Sequence, residues 1–118
     1  MNRPIEAKAA DLNYIRDVLR RLVPDRDVHA FGSRVTGRSR KFSDLDLAIM
    51  GETPLPTATL ADLDDAFDES DLPFKVDILD WATTSETFRA IVRKDAVPIQ
   101  SASAANRPDG QTNVNAGE

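Results

Sequence analysis

The chain contains no cysteine, one histidine, one tryptophan and one tyrosine. Without cysteine it can build neither a disulfide framework nor a thiolate metal site. The single histidine, His29, has no second imidazole to form a metal cluster with, and it is read as a strand residue outside any catalytic set. No apolar run is long enough to span a bilayer. The first eight residues are charged and short of hydrophobics, which does not fit a signal peptide. These absences together lead us to expect a cytoplasmic protein. Basic residues are also in deficit: 15 Lys and Arg stand against 20 Asp and Glu, a net charge of −5. A duplex-binding domain carries a basic face, so nucleic acid is not expected as a direct partner.

What is present suits one small globular domain. The chain has 118 residues, 41% of them apolar and 30% charged, enough for a single hydrophobic core but not for two. The charge is unevenly placed. Residues 32–43 hold Arg34, Arg38, Arg40 and Lys41 with no acid, so the rest of the chain carries −9. A positive loop in an acidic protein suits a small anion better than a long polyanion, while charge alone favours a plain solvated basic loop.

Periodicity divides the chain into elements. Residues 11–23 predict a helix, with Leu12, Ile15, Leu19 and Leu22 on one stripe and Pro24 ending it. Residues 28–31 are a short strand, 32–43 a polar connection, and 44–50 a strand. In that strand Leu45, Leu47 and Ile49 alternate with Asp44, Asp46 and Ala48. Thr59 is placed as the cap of a helix to residue 68, with Leu60, Leu63 and Phe67 inward and an acidic outer face. A third strand spans 74–79, a last helix follows a Thr84 or Ser85 cap, and 97–99 adds a short extended piece. From residue 101 the composition turns to Ser, Ala, Asn, Gly and Pro, which predicts a disordered tail. The fold class is therefore α/β: a small mixed β-sheet flanked by helices.

Chemistry concentrates in two places. The first is Gly32-Ser33, followed ten residues later by Asp44-Leu45-Asp46. Two carboxylates two apart on a strand project from the same face, roughly 6.5–7 Å apart. That face cannot be ordinary core, because adjacent buried anions repel and resist desolvation. It must meet water or cations. The second is Asp77, a lone acid within an apolar strand. If that strand lies beside residues 44–50, three carboxylates converge, a set suited to hard divalent cations and phosphate oxygens. Gly32 lets the backbone approach a triphosphate. Ser33 offers a hydroxyl and a helix-opening N–H. Among the basic residues Arg34 is chosen first for bidentate phosphate contact. Asp80 is read as a turn residue at the strand end, Trp81 as core or rim, and Tyr14 is given no role.

The segments Phe31-Gly32-Ser33-Arg34, Gly37 and Ser43-Asp44-Leu45-Asp46-Leu47-Ala48-Ile49 resemble the signature of the DNA polymerase β-like nucleotidyltransferase superfamily. The segment Pro73-Phe74-Lys75-Val76-Asp77-Ile78-Leu79-Asp80-Trp81 looks like the third-carboxylate strand of its minimal nucleotidyltransferases. The resemblance covers roughly residues 12–100. It implies that Gly32 and Ser33 grip phosphates and that Asp44 and Asp46 ligate two metal ions, Mg²⁺ or Mn²⁺. Asp77 would bind the catalytic ion and help activate the attacking hydroxyl. The substrate would be an NTP, with ATP the first choice. It also implies a separate helical partner, either a substrate-binding subunit or a HEPN-type toxin for which the nucleotidyltransferase is the antitoxin; oligomers are compatible with this. Two other readings stand beside the enzyme: a silent binding protein that neutralises its partner by contact, and a domain that binds a nucleotide without transfer.

Overall fold

The computed structural model describes residues 5–40 and 42–103. Lys41 and most of the expected tail, residues 104–118, lie outside the described residues. The elements run α1 (Ala9–Leu22), β1 (Val28–Phe31), a one-turn helix α2 (Ser33–Thr36), β2 (Leu45–Ile49), α3 (Thr57–Asp68), β3 (Val76–Asp80), a 3₁₀ turn (Trp81–Thr83), α4 (Glu86–Asp95) and β4 (Val97–Gln100). The four strands form one sheet in the order β3-β2-β1-β4. β1 is antiparallel to both β2 and β4, while β2 and β3 are parallel. The sheet is mixed, as the sequence predicts. The parallel pair needs a crossover, and α3 supplies it.

The alternation along the strands sorts the two faces. Val28 and Ala30 of β1, Leu45, Leu47 and Ile49 of β2, Val76 of β3, and Val97 and Ile99 of β4 point to one side. There they meet Ile15, Val18 and Leu19 of α1 and Leu63 and Phe67 of α3. This is the main core, and Leu45, Leu47 and Ile49 are completely buried in it. On the other side Ala48, Trp81 and Val92 of α4 make a second, smaller cluster, edged by Phe31, Met50, Leu79 and Ala96. So α1 and α3 close one face, and α4 covers only part of the other.

Local chemistry explains the element ends. The Val23 N–H bonds the Leu19 carbonyl, and Pro24 follows, ending α1. Ser85 caps α4, its Oγ accepting from the Phe88 N–H at 3.2 Å. Glu86 in the first turn of α4, with Arg93 and Lys94 in its last, suits the helix dipole. α3 begins two residues earlier than the Thr59 cap expected from sequence. The Leu60 N–H already bonds the Pro56 carbonyl, and Pro56 takes the cap position with no side-chain hydrogen bond. The first residues of the expected tail are tied to the domain. The Ala102 N–H donates to Asp27 Oδ1 at 2.6 Å, and the Ser103 N–H to the Pro24 carbonyl at 2.7 Å. Among the described residues no helix is long and apolar enough to cross a membrane.

Candidate active site

Register places the acids. Asp46 of β2 pairs with Asp77 of β3 and with Phe31 of β1. Phe31, Asp46 and Asp77 therefore form one row across three strands, on the face away from the main core, with neighbouring strands about 4.8 Å apart. Asp44 precedes β2 and is exposed. The Leu45 N–H, bonded to the Lys75 carbonyl at 2.9 Å, fixes where β2 begins beside β3. Asp46 and Asp77 line one hollow with Phe31, Ile78, Leu79 and Phe88. The neighbouring hollow is lined by Phe31, Gly32, Ser33, Thr36, Arg38, Ile91 and Asp95. Phe31 is common to both, so the two read as compartments of one cleft between the end of the sheet and α4. Phe31 stands edge-on to Phe88, with ring centroids 6.2 Å apart.

Burial and charge make Asp46 unusual. Its pKa is raised from 3.8 to about 6, first by burial, then by the Asp77 and Asp44 carboxylates nearby. The row concentrates negative charge, and the donor set is all oxygen, the set that hard divalent cations prefer. Among the described residues no three acidic, histidine or cysteine side chains converge into a complete metal site. An ion seated here would need further oxygen donors, and substrate phosphates are the usual ones.

Gly32 is tied to this row sterically. Its φ is +86°, and a Cβ built on it would lie 2.2 Å from Asp46 Oδ2. The backbone conformation calls for glycine, and any Cβ here would push the Asp46 carboxylate aside. Its carbonyl accepts from the N–H groups of Val35 and Thr36, starting the α2 turn. Gly37, at φ +83°, closes the turn in the left-handed conformation. Ser33 opens the turn, where a helical N–H has no intrahelical acceptor.

Arg34 is placed differently from the sequence expectation. It is buried, with Nε donating to the Ser43 carbonyl at 2.8 Å and Nη1 to the Glu6 carbonyl at 2.5 Å. Its guanidinium lies 4.2 Å above the Phe74 ring. Arg34 thus pins the 32–44 connection to the segment before α1 and to the start of β3, and it lines neither compartment. Arg38, four residues on, is exposed and lines the compartment of Gly32 and Ser33. Sequence reasoning had no means of separating the two arginines, because burial of the first depends on Glu6 and Phe74, both distant in sequence.

Asp80, read from sequence as a turn residue, is instead the last residue of β3, on the opposite face of the strand from Asp77. Asp80 also ties the strand end to its surroundings. Its Oδ2 accepts from the Leu55 N–H at 3.0 Å, and its carbonyl accepts from the hydroxyls of Thr83 and Thr84. Trp81 is a buried residue, flanked by the guanidinium groups of Arg89 and Arg93 at 5.0 and 5.3 Å from its ring.

A carboxylate row beside a glycine-serine turn, carried on this mixed sheet, defines a domain of nucleotidyltransferase type. The family model described as Polymerase beta, Nucleotidyltransferase matches residues 13–104, and the chain belongs to that family. It is 54% identical over 96 residues to the probable protein adenylyltransferase MntA of Haemophilus influenzae, covering 81% of this chain and 84% of that one. The fold is shared with a toxin–antitoxin crystal structure containing AMP-PNP (TM-score 0.66, 23% identity, 81% of this chain and 77% of that one). It is shared too with the MNT antitoxin complex of a tri-AMPylated HEPN toxin from Shewanella oneidensis (TM-score 0.59, 20% identity, 82% and 74%).

Proposed function

We propose that this chain is a protein adenylyltransferase that moves AMP from ATP to a hydroxyl on a HEPN-type helical partner, acting as the antitoxin of that pair. The observation that carries this reading is the cross-strand pairing of Asp46 with Asp77 beside Gly32. The identity with a protein named as an adenylyltransferase supplies the donor and the class of acceptor.

In this reading the main chain and hydroxyl of Ser33 hold phosphate oxygens, with Gly32 letting the backbone come close. The α-phosphorus sits over Asp46 and Asp77. An acceptor hydroxyl oxygen attacks it in line, a new P–O bond forms, and the bond to the α,β-bridging oxygen breaks. Pyrophosphate departs, and the hydroxyl proton passes to Asp77. Asp44, Asp46 and Asp77, with phosphate oxygens as further donors, would hold Mg²⁺ or Mn²⁺, and such an ion would supply Lewis-acid stabilisation of the phosphoryl charge. Arg34 keeps the connection in shape so that Gly32 and Asp46 stay in contact. The half-open face beside α4 leaves room for an acceptor presented by another protein.

The test is to incubate the protein with α-labelled ATP, Mg²⁺ and its HEPN-type partner. Label on the partner, lost in Asp77→Asn, is the expected result. A stable complex with no label in the wild type would instead support neutralisation by contact alone.

A further inference from the structure

We infer that Arg38, and not Arg34, is the cation that binds the β- and γ-phosphates of the nucleotide; this deepens, and rests on, the reading of the cleft as an ATP site. Three observations converge on it. The first is that Arg34 is committed elsewhere. Its guanidinium is buried, donates to two main-chain carbonyls and covers the Phe74 ring. Turning it toward a ligand would strand those carbonyls and empty its pocket.

The second is the position of Arg38. The Gly37 left-handed turn delivers it directly after α2, and its N–H bonds the Ser33 carbonyl at 3.1 Å. Its side chain is exposed, lines the same compartment as Gly32 and Ser33, and makes no hydrogen bond or ion pair to the described residues. An arginine with no side-chain partner among the described residues, beside the Gly32–Ser33 hollow, retains its full fork of donors for a ligand.

The third is charge. Asp46, Asp77 and Asp95 all line the cleft, and Arg38 is the one cation among its described lining residues. A triphosphate entering this cleft meets carboxylates at both ends. Arg38 is the residue that offsets the phosphates on the Ser33 side, while the α-phosphate lies beyond Phe31 at the Asp46–Asp77 row. Its contribution is therefore confined to the phosphates that leave as pyrophosphate.

That confinement gives the experiment. Binding of Mg-ATP, inorganic tripolyphosphate and AMP is measured by calorimetry for the wild type, Arg38→Gln and Arg38→Glu, with melting temperatures recorded alongside. The expected result is a loss of about 10- to 100-fold for ATP and tripolyphosphate in Arg38→Gln. The loss should be greater in Arg38→Glu, with AMP affinity and melting temperature unchanged in both. Equal ATP affinity in wild type and both variants overturns the inference while leaving the ATP site standing. A wild type that binds no Mg-ATP at all overturns the ATP site itself, and the inference with it. Equal losses for AMP and ATP would also overturn it, because they would place Arg38 at the α-phosphate or the nucleoside.

Discussion

On one face of the sheet, Leu45, Leu47 and Ile49 are sealed beneath α1 and α3 with no exposed surface. On the other, the same strand presents Asp46, half-buried, with Asp44 just before it in solvent. Five consecutive residues of β2 thus serve two ends. The odd positions stabilise the fold, whereas Asp46 holds charge that opposes it and Ala48 packs into the smaller cluster. The cost appears at Asp46, whose carboxyl is held above its ordinary range by burial and by Asp77 and Asp44. α4 covers too little of that face to finish a core. Ile91 is 60% exposed and Phe88 39%, and the opening they border is where chemistry has room.

Substitutions on the two faces should fail in different ways. The largest effect is expected from Asp77→Asn, which should cut AMP transfer by about a thousandfold or more if the acid acts in the transition state. Because Asp77 is exposed, its loss should leave thermal unfolding nearly unchanged. Leu47→Ala does the reverse, costing about 2–5 kcal/mol of stability by opening a cavity in the main core. Chemical denaturation measures it, and any protein still folded should keep its transfer chemistry. Arg34→Ala joins the second class, with about 2–3 kcal/mol lost as two carbonyls and a ring lose their partner. Gly32→Ala crosses the division. A Cβ against Asp46 Oδ2 should abolish transfer and also lower the melting temperature.

The smallest effect is a pH dependence. In the folded protein Asp46 binds its proton more tightly than in the unfolded chain, with a pKa of about 6 against 3.8. Its stabilising contribution is therefore full below pH 4 and is lost as pH rises through 6. Asp46→Asn should raise the metal-free melting temperature at pH 7.5 by a few degrees, corresponding to about 1 kcal/mol after screening at this half-buried site. The gain should vanish near pH 4. A gain that is the same at both pH values would show that the carboxylate repulsion is not its source.

Much of this division is legible in the sequence. Period-two alternation in β2 and β3 assigns Leu47 to the core and Asp46 and Asp77 to the opposite face, because strand geometry converts parity into side. The Gly32-Ser33 spacing likewise marks the turn. What could not be read depends on contacts between distant segments. The fate of Arg34 is set by Glu6 and Phe74. The exposure of Ile91 is set by how little of the sheet α4 reaches. The early start of α3 depends on Pro56 serving in place of a side-chain cap. The attachment of residues 102 and 103 depends on Asp27 and Pro24, and composition alone has no access to that.

Folding and transfer measured together on a single variant test the role of the carboxylate row. Asp77→Asn is purified, its melting temperature is recorded, and AMP transfer from labelled ATP to the HEPN-type partner is followed beside the wild type. The variant is expected to melt within about a degree or two of the wild type and to leave the partner unlabelled. Transfer that persists at the wild-type rate in the folded variant would contradict that role.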